Sequence, residues 1–159
     1  MESTYVTVFR TRPKGDFLVQ PYRLRLGSQG DARGTAPTLV PKAEFCDNIA
    51  EVVLTALDLF RTPVADQEFW RAGYPPLQAW AASVTDDGTE LELATLKRHH
   101  GGHMGTGERT RILRADAGRL LARRLLAALG EREEDVAEFI RRHGPRGQRE
   151  QRRPTTACT

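Results

Sequence analysis

The spacing of apolar and polar residues divides this chain into strands and helices of ordinary length. Residues 5–10 alternate apolar and polar side chains, the period of a strand with one buried face. Residues 17–26 repeat that signal, with Tyr22, Leu24 and Leu26 on one face and Arg23 and Arg25 on the other. Pro13-Lys14-Gly15-Asp16 between them has the composition of a hairpin turn. Pro21 has no N–H to give a ladder, so the second strand is predicted to lie at an edge or to bend there. Residues 27–38, rich in Gly, Ser, Asp and Pro, are predicted as a loop.

The pattern then changes period. Across residues 42–60, Phe45, Ile49, Val52, Val53, Ala56, Leu57 and Phe60 recur at steps of three and four, which predicts a helix buried along one stripe. Thr62-Pro63 stops that helix, or opens a short one that carries Phe69 and Trp70 and ends at Gly73; Tyr74-Pro75-Pro76 is a rigid break. Residues 81–84 and 90–97 flank Thr85-Asp86-Asp87-Gly88, a hairpin signal with glycine available for positive φ. Residues 99–107 are predicted as a glycine-rich loop and 110–113 as a short strand. Asp116 is predicted to cap a helix that ends at Gly130, and a last helix spans 133–142, with acids in its first turn and arginines in its last.

Two segments share one order of elements. Residues 17–60 and 90–129 each run strand, polar glycine-rich loop, short apolar strand, helix. Their helices close on similar phrases, Val53-Leu54-Thr55-Ala56-Leu57 and Leu125-Leu126-Ala127-Ala128-Leu129. The predicted class is α+β: one mostly antiparallel sheet with helices packed on it, in two strand-loop-strand-helix units.

At 159 residues with 39% apolar side chains, the chain has material for one core. It reads as a single domain over residues 1–143, followed by a polar tail over 144–159. No segment has the length of uninterrupted apolar residues that a membrane helix needs, and the first residues lack the pattern of a secretory signal. The two cysteines, Cys46 and Cys158, are too far apart in sequence for a metal-ligand pair, and no structural disulfide is predicted between them. A cytoplasmic location is the expectation.

Charge is unevenly placed. The net is +3, but residues 141–159 hold six arginines against Glu150 alone, which leaves 18 basic against 20 acidic side chains in residues 1–140. The body is therefore slightly acidic. A basic tail can touch nucleic acid, but a solvated end is its commoner role, and no aromatic residue is interleaved to stack on bases. Nucleic acid is not the expected partner.

The densest chemistry is His99-His100-Gly101-Gly102-His103-Met104-Gly105-Thr106-Gly107. Neutral imidazoles at His99, His100 and His103 suit zinc or copper, and a small metal-binding enzyme or sensor is the alternative reading. No Cys or Asp lies close by as a further ligand, and the glycines exclude a helix that would align the histidines. The same glycines can free N–H groups for an anion, but the Lys-Ser/Thr ending of a phosphate loop is missing. Ser3, Ser28 and Ser83 sit in no nucleophile elbow. Asp86-Asp87 and Glu133-Glu134-Asp135 are explained as a turn and a helix start. No catalytic residue, metal site or cofactor is predicted. Trp70, Tyr74 and Trp80 around the Pro-Pro break are read as packing aromatics.

Two sets of phrases resemble a known family. Phe17-Leu18-Val19-Gln20-Pro21-Tyr22, followed after a loop by Asp47-Asn48-Ile49-Ala50-Glu51-Val52-Val53, resembles the opening of CdiI-type immunity proteins. These belong to contact-dependent growth inhibition systems and related polymorphic toxin loci of bacteria. Leu91-Glu92-Leu93, Gly105-Thr106-Gly107-Glu108 and Arg111-Ile112-Leu113-Arg114-Ala115-Asp116 resemble the family's second unit, with Gly-Thr-Gly the most recognisable phrase. The likeness runs over residues 5–129; the linker between the halves is shorter than the family's, and nothing after Gly130 has a counterpart. It implies a protein that binds and neutralises a cognate toxin C-terminal domain, often a nuclease, and is not an enzyme. Loops on a rigid sheet commonly carry function, so His99, His100, His103 and Met104 are the expected toxin-binding residues.

Overall fold

Alternating segments build one sheet, and the two apolar stripes lie on the same side of it. A computed structural model describes residues 3–10, 15–27, 30–65, 80–99, 102–129 and 141, with side chains described for all but Trp80, 97–99 and 102–104. The order is β1 (Thr4–Arg10), β2 (Phe17–Leu24), β3 (Ala32–Gly34), β4 (Thr38–Val40), α1 (Phe45–Leu59), β5 (Trp80–Asp86), β6 (Glu90–His99), β7 (Gly102–Leu113) and α2 (Arg119–Ala128). The sheet runs β3-β2-β1-β5-β6-β7, with β4 also on β2, and every strand pair is antiparallel. The fold is α+β, as the alternating and helical periods predict.

The register places Val6, Val8, Phe17, Val19, Ala82, Val84, Leu91 and Leu93 on one face. Against it lie Ile49, Val53 and Leu57 of α1 and Leu121, Leu125 and Leu126 of α2, all at most 2% exposed. Phe17 and Phe45 meet at 4.1 Å between ring centres, and the Arg10 guanidinium stands 5.2 Å over the Phe17 ring. α1 covers β1, β2 and β4, whereas α2 covers β5 and β6 and also packs on α1.

The pairing at the centre of the sheet gives the repeat a wider meaning. β1 and β5 lie side by side and antiparallel, and each leads outward to a second strand, an edge and a helix. The units are thus β1-β2-β4-α1 and β5-β6-β7-α2, each one strand longer than the sequence pattern indicated. A 3₁₀ turn precedes each helix, at Lys42–Glu44 and Arg114–Asp116. The first N–H of each turn goes to the residue just before the second strand: Lys42 N–H to Asp16 Oδ1 at 2.9 Å, and Arg114 N–H to the Thr89 carbonyl at 2.8 Å.

Several local expectations are corrected. β2 is not an edge strand, since β1 flanks one side and β4 and β3 divide the other. Pro21 is tolerated because it falls between those two partners. Its carbonyl points outward to accept the Thr35 N–H at 3.1 Å, so the missing N–H faces the same gap, where no strand asks for it. Part of the predicted 27–38 loop forms β3. Leu26 lies past the end of β2 and is 64% exposed. Asp116 lies in the 3₁₀ turn, and Gly118, at φ +135°, is the residue that opens α2. Cys46, buried in the first turn of α1, is disulfide-bonded, against expectation. The 66–73 helix, Tyr74, the 133–142 helix except Arg141, and the 144–159 tail lie outside the described residues.

Candidate functional site

The glycine-rich segment is a strand. Residues 102–107, predicted as loop, form the first half of β7, and β6 continues to His99. Glycine and histidine are poor strand formers, and here pairing with β6 overrides that preference. The ladder sets His99 opposite Gly102, Arg98 opposite His103 and Lys97 opposite Met104. His99, His103 and Met104 therefore stand together at the tip of one hairpin, while His100 lies outside the described residues. His99 and His103 occupy neighbouring rungs of that ladder.

The Gly-Thr-Gly phrase has a mechanical role. Ala94 pairs with Arg109 and Leu96 with Gly105, so Thr95 alone stands opposite Thr106-Gly107-Glu108. This is a bulge. Gly107 has φ +91°, a conformation that L side chains rarely adopt, which accounts for glycine at this position. The Thr106 hydroxyl donates to the Thr95 carbonyl at 3.4 Å and accepts the Glu108 N–H at 3.3 Å, tying the extra residues across the ladder. A bulge of this kind bends its strand and raises the local twist.

β7 is the outer strand. β6 occupies one side of it, and among the described residues no strand occupies the other. Residues 105–109 are all exposed, and so are Arg111 and Leu113, while Ile112 is buried toward the helices. A free edge of this kind offers main-chain N–H and C=O groups to another polypeptide.

Ion pairs hold the rest of β7 in register. Glu92 accepts from Arg109 Nη1 at 2.6 Å and from Arg111 Nε at 3.1 Å, and Arg111 also reaches Glu90 at 3.6 Å. The hydrogen bond from Arg109 is the chief cause that holds the Glu92 carboxyl below its ordinary value, and Arg111 adds to it. These arginines are largely neutralised within the strand pair. The turn at the other end of β6 is equally determined: Asp86 Oδ1 accepts the Gly88 N–H at 2.7 Å, and Asp87 Oδ1 accepts those of Thr89 and Glu90. Those amide bonds, from Glu90 first, lower the Asp87 carboxyl.

The edge character of β7 was hidden in the sequence because its first half carries no hydrophobic alternation. The one signal that pointed there was the spacing of Arg109 and Arg111 against Glu90 and Glu92. Among the described residues no helix is long and apolar enough to cross a membrane. Comparison with family models, curated proteins and solved structures finds no match.

Proposed function

We propose that this chain is an immunity-type protein that binds the C-terminal domain of a cognate bacterial toxin, of nuclease class, and blocks its active site or substrate access. The observation that carries this reading is the outer edge of β7, which no strand among the described residues covers and which is exposed over residues 105–109 and interrupted by the Gly107 bulge. A partner strand added there gains main-chain hydrogen bonds for affinity, while alternate side chains supply specificity. The expected anchors are His99, His100, His103 and Met104, of which His99, His103 and Met104 belong to the β6–β7 ladder and His100 lies outside the described residues; a few central side chains carry most of the energy of a protein interface. The Gly-Thr-Gly phrase, on which the family resemblance leans most, is the Gly107 bulge. The slight acidity of residues 1–140 suits a basic nuclease and assists encounter more than final affinity.

The test is expression of the toxin domain from the adjacent large secreted protein in a sensitive bacterium, with and without this chain. Survival only with this chain, together with co-purification, is the expected result; killing in both cultures rejects the inhibitor reading. In the purified complex, replacing His103 and Met104 together by alanine should weaken binding about tenfold or more at unchanged Tm. Unchanged affinity would move the contact off the tip.

A further inference from the structure

Opposite charges stand at the two ends of a groove between α1 and the outer side of β2. The cavity there, of about 330 Å³, has a floor of Pro21, Val52 and Ala56. It exists because β2 changes partners at Pro21: β4 ends its pairing at Val19 and β3 begins at Tyr22, which leaves no strand between them. β2 and α1 run in the same direction. Phe17 meets Phe45 where both begin, and the Leu24 N–H bonds the Phe60 carbonyl where both end. Glu51, Thr55 and Leu59, four residues apart on α1, form one row along the groove. Leu59 lies eight residues beyond Glu51, so the row is about 12 Å long. On the sheet side, Arg23 lines the Leu59 end, and Thr38, paired with Val19, lines the Glu51 end.

Neither end charge is neutralised within the groove. Arg23 Nε and Nη2 both donate to the Thr62 carbonyl, at 3.1 and 2.9 Å, which fixes the guanidinium just past the end of α1. A neutral carbonyl orients that cation without cancelling it. Asp58, next to Leu59 in the chain, bonds Arg114 Nη2 at 2.5 Å and is not part of the lining. Glu51 is exposed, and among the described residues no basic side chain pairs with it. The lining is therefore neutral in sum and dipolar in arrangement. A ligand of one sign gains at one end and loses at the other. A ligand with an ammonium and a carboxylate at the two ends of an apolar body gains at both. The fixed arginine lowers the ordering cost of such binding.

We infer that this groove binds a short apolar peptide with both termini free, its ammonium at Glu51 and its carboxylate at Arg23. Three extended residues span about 10 Å, which matches the row from Glu51 to Leu59. The cavity also falls within the range of small-ligand sites, about 300–1,000 Å³. Apolar side chains lie over Pro21, Val52 and Ala56, and the Thr35 and Thr55 hydroxyls meet the peptide main chain. The site is separated from β7 by the width of the sheet, so it stands apart from the toxin-binding reading.

The experiment titrates the full chain with alanyl-leucyl-alanine, read by calorimetry and by amide NMR shifts. Binding is expected with a Kd below about 1 mM, and with shifts concentrated at Thr35, Thr38 and residues 51–59. Amidating the peptide's carboxylate should weaken binding about tenfold, since it removes a charge-assisted bond to arginine. Acetylating its amine should weaken it about three- to fivefold, because Glu51 is exposed. In Glu51→Gln the acetylation penalty should vanish while the amidation penalty remains. Thr55→Trp, at an exposed position, should fill the groove and abolish binding at unchanged Tm. Absence of binding at about 1 mM, or equal affinity for the doubly blocked peptide, would overturn the proposal. So would an acetylation penalty that survives in Glu51→Gln, binding that survives Thr55→Trp, or shifts confined to β7.

Discussion

Replacing Arg114 by methionine removes one guanidinium that holds three elements together. Arg114 sits in the 3₁₀ turn after β7; Nη1 donates to Asp86 at the end of β5, and Nη2 to Asp58 in the last turn of α1 at 2.5 Å. The two partners should differ in energetic weight. Asp58 is 66% exposed, and exposed pairs are worth about 0.2–1 kcal/mol. Asp86 is 9% exposed, and stripping the cation from a buried carboxylate costs about 3–5 kcal/mol in a fully enclosed pair. The side chain of Arg114 is itself 25% exposed, and Asp86 keeps the Gly88 N–H, so that figure falls to about 2 kcal/mol. Urea unfolding should therefore show Arg114→Met destabilised by about 2 kcal/mol at unchanged m-value. A double-mutant cycle should give a coupling with Asp86→Asn above about 1 kcal/mol, and with Asp58→Ala below about 0.5 kcal/mol. Equal couplings, or an Arg114→Met variant within about 0.5 kcal/mol of the parent, would refute the reasoning.

Other perturbations test the bulge, the core and the edge. Gly107→Val should cost about 1–2 kcal/mol for the positive φ alone, because nothing lies within 4 Å of an added Cβ. Gly105→Val, equally uncrowded but at ordinary φ, should cost nothing in the same melts, and equal losses at both positions would remove strain as the cause. Leu125→Ala, in the fully buried face of α2, should lose about 2–5 kcal/mol by thermal or urea unfolding. The Glu92 carboxyl is held below its ordinary value of 4.5, so its contribution is complete above that pH and is lost as the pH falls through the lowered folded-state value. The stability gap between the parent and Glu92→Gln should therefore be constant near neutrality and shrink below pH 4.5; a gap that persists unchanged to about pH 3 contradicts the pairing.

What the sequence revealed follows from which residues must face the core. α1 was legible because seven apolar residues at helical spacing leave no other placement for residues 42–60. The β5–β6 hairpin was legible from its Asp-Asp-Gly turn, whose side chains bond the backbone as that chemistry predicts. The short apolar strand before α1 is β4, but β3 was not legible, since a three-residue strand inside a polar loop carries too few alternations to register a period. β7 was misread for a different reason: residues 105–109 are an exposed edge, so they answer to bulge geometry and not to hydrophobic alternation. Of the candidate residues, His99, His103 and Met104 were read as members of a loop and are rungs of a ladder.

The antiparallel seam between β1 and β5 relates two β-β-β-α units as near-equivalents, down to the residue that receives the first N–H of each 3₁₀ turn. Equivalent frames have been finished differently at their rims. One rim ends in two three-residue strands with a gap between them, the other in a single twelve-residue strand with a kink. A frame with internal two-fold symmetry would offer the same invitation twice and favour closed pairs of identical copies. Divergence confined to the outermost strands breaks that sameness while leaving the shared interior intact. Each rim can then be altered by substitution without disturbing the other.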